Sequence, residues 1–302
     1  MFLNRQFFND PITTVIAGVA VSASVIFQAL PAAAKSPTEI GVIAQAIAVK
    51  IDNNLGVPGG SGVIVAKKGN SYTVLTANHV VKNVNISYII KTSDNQQHAV
   101  DSVKNLESNG LDLAYVTFVS PQEYSTATIG NSEYATPGAS IYVSGYPLSA
   151  EVGEDRYHEF TTGTITSIRE SAAEGYTMRY QALTRRGMSG GPVFNTNGQL
   201  IGIHGQGDVI GSVKNESSSI PEPLKTGFNA AIPLKNFTSL ASTELGDSSL
   251  TVENTKPEKE DDVDTEATQK YVEGIELLAQ GDVTRACHQL SRIKRNKKEK
   301  QQ

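Results

Sequence analysis

The sequence predicts an all-β fold followed by a short α-helical hairpin, and three observations predict it. From Ser36 to about Leu240, short apolar runs rich in Val, Ile and Thr alternate with Gly, Asn, Asp, Ser and Pro clusters. About a dozen short strands at this spacing argue for a sandwich or a barrel. No long amphipathic helix interrupts them, which counts against a parallel α/β sheet. Beyond residue 265 the period changes: Ala267, Tyr271, Gly274, Leu277, Leu278, Gly281, Ala286 and Leu290 recur with helical spacing.

The expected strands are Ser61–Ala66, Ser71–Thr76, Asn85–Ile90, His98–Val103, Leu111–Phe118, Ser140–Ser144, Phe160–Arg169, Tyr176–Ala182, Pro192–Phe194, Gln199–His204 and Phe228–Ile232. Lys68-Gly69-Asn70 closes one hairpin and Asn197-Gly198 another. Leu234–Ser242 reads as a short closing helix. Residues 244–265 are rich in Ser, Pro, Glu and Asp and read as a solvated acidic linker. Residues 266–295 form the expected hairpin, with Gly281-Asp282 as its turn and Asp282 as N-cap of its second helix. The hairpin is spaced like one tetratricopeptide unit. One unit cannot bury its own face, so it either recruits a protein partner or docks on the main domain. Residues 296–302 are a basic tail.

Residues 1–34 read as an export signal. Arg5 starts it, Val15–Phe27 carries no charge, and Ala32-Ala33-Ala34 offers a small-residue cleavage site before Lys35. The alternative is an uncleaved anchor, since Ile12–Leu30 is nearly long enough to span a membrane. Thr13, Thr14, Ser22, Ser24 and Gln28 dilute that stretch, and the small-residue site favours cleavage. Either way the remainder, residues 35–243 and beyond, is delivered to the periplasm or secreted; with cleavage it keeps no membrane span. Cys287 is the single cysteine, so no disulfide forms within the chain, and a quiet, partly buried thiol is expected. The net charge of -5 gives no basic field for nucleic acid. The histidines are scattered, and Cys287 with His288 falls short of a metal site, so no metal or cofactor is expected.

The chemistry gathers in three motifs. Arg186-Gly187-Met188-Ser189-Gly190-Gly191-Pro192 surrounds a serine with glycines, which let a backbone turn so tightly that two N–H groups point into one space. Those would be the amides of Gly187 and Ser189. The bland alternative for the motif alone is a glycine-rich β-turn, and the nucleophile reading is favoured over it. Leu75-Thr76-Ala77-Asn78-His79-Val80-Val81 ends an apolar strand on a histidine. Gly110-Leu111-Asp112-Leu113 places an acid within an apolar strand, where it needs a partner such as an imidazole N–H or else faces water at an edge.

The chain order His79, Asp112, Ser189 in these motifs resembles the trypsin-like serine peptidases. Ser61-Gly62-Val63-Ile64-Val65, Val143-Ser144-Gly145-Tyr146-Pro147, Ile201-Gly202-Ile203-His204-Gly205 and Gly227-Phe228-Asn229-Ala230-Ala231-Ile232-Pro233 extend the resemblance toward the disulfide-free bacterial branch containing the glutamyl endopeptidases. It covers roughly Gly56 to Phe237. A housekeeping protease of the DegP type is the weaker option, since no recognisable PDZ module follows the core.

The resemblance implies two six-stranded antiparallel β-barrels, at about 45–130 and 131–240, meeting along a cleft. It implies His79, Asp112 and Ser189 as catalytic triad, Gly187 and Ser189 as oxyanion hole, and protein or peptide substrates. Thr184 and His204 match the branch's receptors for an acidic P1 side chain, with Arg185 and Arg186 adding positive charge nearby. Leu183 argues against an acidic pocket floor. Met188 stands where much of the family has Asp or Asn, so support for that loop must come from elsewhere. The competing function is a catalytically weak scaffold that binds proteins through its barrels and helical tail; the intact triad favours the endopeptidase.

Overall fold

The computed structural model describes residues 35–56, 59–107, 110–148, 155–213, 222–244, 249–257 and 265–290. The expected export signal and basic tail lie outside them. Helix α1 (Pro37–Ile47) comes first, an element the strand pattern does not announce. Ser36 Oγ accepts the Glu39 N–H at 3.3 Å while the Glu39 carboxylate accepts the Ser36 N–H at 2.8 Å, a reciprocal cap. Ile40, Ala44 and Ile47 form its buried face.

The first barrel is built from β1 (Ala48–Asn53), β2 (Gly60–Lys68), β3 (Ser71–Ala77), β4 (Tyr88–Lys91), β5 (Gln97–Ala99), β6 (Ser102–Asn105) and β7 (Leu113–Val119). Antiparallel pairing runs β5-β4-β1-β2-β3-β7-β6. The expected strand His98–Val103 is broken into β5 and β6. Across the break, Val100 N–H donates to Tyr88 O at 3.1 Å and Asp101 N–H to Thr117 O at 2.8 Å. One bent strand thus pairs with β4 at one end and β7 at the other, closing six strands into a barrel. Val49, Ile51, Val74 and Val116 fill it with the stacked pair Tyr72 and Phe118, whose rings lie 5.2 Å apart.

The second barrel uses β9 (Ser140–Gly145), β10 (Glu159–Ile168), β11 (Met178–Ala182), β12 (Pro192–Phe194), β13 (Leu200–Val213) and β14 (Glu222–Pro233). Its ring β9-β10-β11-β14-β13-β12-β9 is antiparallel throughout and closed. Closure removes every free edge. Val143, Ile165, Met178, Tyr180, Val193 and Ile201 form its core. A short strand, β8 (Thr128–Gly130), runs parallel to β13 outside the ring. A one-turn helix, α2 (Asn78–Val81), follows β3, and α3 (Lys235–Glu244) is the expected closing helix.

The linker at 244–265 is corrected over its middle. Residues Ser249–Glu253 form β15, antiparallel to β2 of the first barrel and parallel to β8 beside the second. Leu250 packs on the core, Gln199 Nε2 donates to Glu253 Oε2 and Thr255 Oγ1 at 2.7 Å, and Asn131 Nδ2 donates to Asn254 Oδ1 at 2.8 Å. The acidic flanks dominate the composition of this stretch. They hide the local alternation Ser-Leu-Thr-Val-Glu, which is a strand signal.

The hairpin consists of α4 (Thr265–Ala279) and α5 (residues 283–290). Gly281 takes a φ of 80° at the turn, and Asp282 Oδ1 accepts the Arg285 N–H at 3.1 Å as expected of an N-cap. The helices meet at Gly274, where an added Cβ would lie 2.7 Å from Leu290. The hairpin docks on β14: the Tyr271 ring covers Gly227 so closely that a Cβ there would sit 3.1 Å from it. Cys287 is exposed, not partly buried as expected, because Ala286 takes the inward position and the helical rotation turns its neighbour out. Among the described residues no helix is long and apolar enough to cross a membrane.

A chain ending at residue 257 keeps β15, and a chain ending at residue 244 loses it. Loss of the strand uncovers Leu250's contact and leaves backbone groups of β2 and β8 unpaired, a cost of about 2 kcal/mol. For a domain of this size the Tm should fall by roughly 4–8 °C. Calorimetry on the two truncations measures the difference, and equal Tm values would restore the linker reading.

Candidate active site

His79 rides on α2, immediately after β3 leaves the first barrel. Asp112 sits in a bend just ahead of β7, one residue outside the strand expected to contain it. Its backbone is held on both sides: its carbonyl accepts Asn78 N–H at 3.0 Å, and its amide donates to Glu174 O at 3.0 Å. Its carboxylate is 7% exposed, and burying such a charge is costly unless donors surround it. Three do. Oδ1 accepts the His79 backbone N–H at 2.8 Å, and Oδ2 takes His79 Nδ1 at 2.6 Å and the Tyr176 hydroxyl at 2.6 Å.

Burial pushes the Asp112 pKa up, but the bonds from His79 and Tyr176 more than offset it and hold the carboxyl below its usual range. Burial, then the Asp112 carboxylate, push the Tyr176 phenol well above its own. An ionised carboxylate only accepts, so Nδ1 is the nitrogen that carries a proton toward Asp112, and the neutral tautomer fixed in this way presents its lone pair at Nε2. Tyr176 reaches Asp112 because residue 205 is glycine; a Cβ there would collide with the phenol oxygen.

Ser189 lies on the loop between β11 and β12. Met188 N–H donates to Arg185 O at 3.2 Å, closing a turn in which Gly187 has a φ of 93°. A side chain at Gly187 would also meet Tyr146 O at 2.7 Å. Ser61 of β2, fully buried, ties this loop to the first barrel. Its N–H donates to Ser189 O at 2.8 Å, its hydroxyl donates to Gly187 O at 2.8 Å, and the same oxygen accepts Tyr146 N–H at 2.8 Å. Gly190, next to Ser189, touches β2 and β3 so closely that a Cβ would collide with Ser61 O and Thr76 Oγ1. The Ser189 hydroxyl donates to Gly205 O at 3.3 Å. Arg156 adds a second tie: Nη1 donates to Gly60 O at 3.2 Å and Tyr146 O at 2.9 Å, and Nη2 to Ile51 O at 2.8 Å and Asp52 at 2.6 Å.

The two further residues singled out by sequence flank this loop from inside the second barrel. The Thr184 hydroxyl donates to Asn229 Oδ1 at 2.5 Å, and Asn229 Nδ2 donates to Ala182 O and Gly227 O at 2.8 Å each. His204 is 1% exposed, with Nδ1 at 2.6 Å from the Tyr180 hydroxyl. Burial first, then the charges of Lys225 and His79, push its pKa down to about 3, so its ring is neutral at ordinary pH. Burial raises the Tyr180 pKa far above its usual value; the phenol therefore keeps its proton and donates it to Nδ1. Arg185 pairs with Glu159, away from the pocket, and Leu183 is exposed.

These features can be set beside known proteins. Residues 60–203 match the family model of the trypsin-like peptidase domain. That trypsin-like segment contains His79, Asp112 and Ser189. The chain is 30% identical over 188 residues to the periplasmic serine endoprotease DegP of Escherichia coli (strain K12), covering 60% of this chain and 35% of that one. It is 26% identical over 191 residues to the serine protease Do-like HtrA of Bacillus subtilis (strain 168), covering 62% and 39%. With exfoliative toxin A of Staphylococcus aureus it shares 28% over 166 residues, covering 48% and 55%. The chain thus spans between about a third and just over half of the length of these relatives. The similarity is to proteases of the DegP and HtrA type, the weaker option by sequence alone.

Sequence reasoning misses Tyr176, Ser61, Arg156, Asn229 and Lys225. Tyr176 is one of eleven tyrosines and stands far from Asp112 in the chain. Only Ser61 carried a local signal, as a polar residue in a strand whose burial is otherwise apolar.

Tyr176→Phe should remove a donor from Asp112 and raise its pKa. Because the folded pKa lies below the unfolded one, Asp112's contribution to stability is present above the unfolded value and lost as pH falls through the folded value. The variant should be about 1–2 kcal/mol less stable near neutral pH, and its acid unfolding should begin at higher pH. Unfolding followed by circular dichroism from neutral to acid pH tests this. Superimposable curves for variant and wild type would show that the phenol does not hold the carboxylate.

Proposed function

We propose that the protein is an exported serine-type endopeptidase that hydrolyses peptide bonds through Ser189, His79 and Asp112. The observation that carries this reading is the Asp112-oriented imidazole of His79 beside a serine loop that Ser61 ties to the same barrel. His79 Nε2 takes the Ser189 proton as Oγ attacks the substrate carbonyl, then gives it to the leaving amine. Water repeats the cycle on the acyl-enzyme. Asp112 fixes the tautomer and stabilises the imidazolium. In the free enzyme the bond between nucleophile and base is often loose and tightens with substrate, which is consistent with the Ser189 hydroxyl resting on Gly205.

The amides of Gly187 and Ser189 would receive the oxyanion. Arg186 O is held by Leu148 N–H at 2.8 Å, and a planar trans peptide then turns the Gly187 N–H to the opposite side. Among the described residues no backbone carbonyl takes either amide. The loop support that sequence left open at Met188 has a candidate in the same place: Met188 is buried, and its sulfur accepts the Arg185 N–H at 3.4 Å. Substrates are proteins or peptides, with a preference for acidic P1 residues beside Thr184 and His204, as in the glutamyl endopeptidase branch. Export through residues 1–34 fits relatives that include a protease named as periplasmic. The tetratricopeptide-like hairpin, docked at Tyr271, offers the rest of its surface to a protein partner.

Ser189→Ala and His79→Ala should each lower kcat by at least ~10³-fold, and Asp112→Asn should be similarly severe. A fluorophosphonate probe should label the wild type at Ser189. An unlabelled wild type, or a fully active Ser189→Ala protein, would defeat the mechanism. Ser61→Ala should lower kcat roughly 10-fold or more with KM little changed, because it frees the carbonyl of an oxyanion-hole residue. A change in KM alone would give Ser61 a purely structural part.

A further inference from the structure

Lys225 of β14 is a half-buried cation that meets no carboxylate among the described residues. Its ammonium donates to Thr184 Oγ1 at 3.4 Å, and a Cβ on Gly207 would lie 3.0 Å from it and 3.1 Å from Asn229 Oδ1. The other little-exposed cations behave differently: Lys50 and Lys91 share Asp155, Arg156 meets Asp52, and Arg179 meets Asp208. Burial, and then the charge of Arg186, lower the Lys225 pKa. An ammonium partly removed from water and facing a second cation is destabilised until an anion reaches it.

Its position says which anion. Ser189 Oγ touches Gly205 O, and Gly207, against the ammonium, lies two residues further along β13. Two strand residues span ~7 Å, so the charge stands one long side chain away from the nucleophile. Thr184 approaches it from the segment that leads into the Ser189 loop. His204 cannot supply this charge, being neutral and engaged with Tyr180. Thr184 cannot either, its proton being directed to Asn229.

We infer that Lys225 is the receptor for the carboxylate of the residue on the acyl side of the scissile bond, and that it selects Glu at P1. This rests on the endopeptidase reading above and names the residue that gives that site its specificity. Thr184 contacts the ammonium and is itself fixed by Asn229, and the substrate carboxylate completes the pair. Glu fits better than Asp because its longer side chain covers more of the gap.

The test is hydrolysis of peptides differing only at P1, as Glu, Gln, Asp, Leu and Lys, by wild type, Lys225→Met, Lys225→Gln and Lys225→Arg. Fluorophosphonate labelling of Ser189 counts the active sites in each preparation. In the wild type kcat/KM should favour Glu over its isostere Gln by about 10- to 100-fold, the span of a charge-assisted bond. That ratio should fall to near unity in Lys225→Met and Lys225→Gln and be largely kept in Lys225→Arg. A Glu-to-Gln ratio unchanged in the Met and Gln variants would overturn the assignment, as would a wild type that cleaves Glu and Gln peptides equally. Either result leaves the peptidase reading intact. A wild type that cleaves no peptide and takes no label would overturn both.

Discussion

A carboxylate buried between two barrels must find its donors there, and the structure is organised around that requirement at Asp112. The first barrel supplies the backbone and imidazole of His79, and the lead-in to β11 of the second supplies Tyr176. The Asp112 amide meanwhile donates to Glu174, also from the second barrel. The group that orients the His79 imidazole is therefore also a joint between the halves. If the barrels separate there, the charge loses a donor in a place where water cannot fully replace it. This couples integrity of the interface to orientation of the imidazole. Ser61 and Arg156 reinforce the same seam, Ser61 with a bond to the Ser189 loop and Arg156 with bonds to Gly60, Ile51 and Asp52 of the first barrel.

Most of the strands are legible because their alternation and turn residues are local. The misses have identifiable physical causes. Helix α1 is announced by Ser36, Pro37 and Glu39, a cap signal that a strand-oriented reading passes over. Strand β1 continues from it without a turn residue, so no punctuation marks its start. β15 is five residues long inside an acidic stretch, and its pairing with β2 and β8 is a tertiary event. The break between β5 and β6 falls where one strand must serve two neighbours, a demand of barrel closure that composition does not record.

The candidate site divides in the same way. His79, Asp112 and Ser189 lie in motifs whose neighbours are informative, and the structure brings the first two into direct contact. Tyr176, Ser61 and Lys225 act through residues distant in the chain. Glycine at 205 is explained only by the phenol that passes it. For Thr184 and His204 the motif gives the place but not the bonding: Thr184 is engaged with Asn229 and His204 with Tyr180, and the cation beside Thr184 belongs to a residue that no motif marks.

The strand at 249–253 has a consequence for how the chain comes to be folded. Residue 249 pairs with residue 67, so the first barrel's outer edge is completed by a segment made long after that barrel's own strands. Contacts of such sequence separation form slowly, because a long loop must close before any pairing rewards it. The barrels can assemble in order of synthesis, yet the tie that β15 makes between β2 and β8 waits until residues 249–253 have been made. A nascent molecule that stops short of residue 249 therefore has its barrels joined without that tie, through bonds such as those of Asp112, Ser61 and Arg156. The last bracing between the two barrels thus arrives with residues 249–253, after the segments that carry His79, Asp112 and Ser189 have all been made.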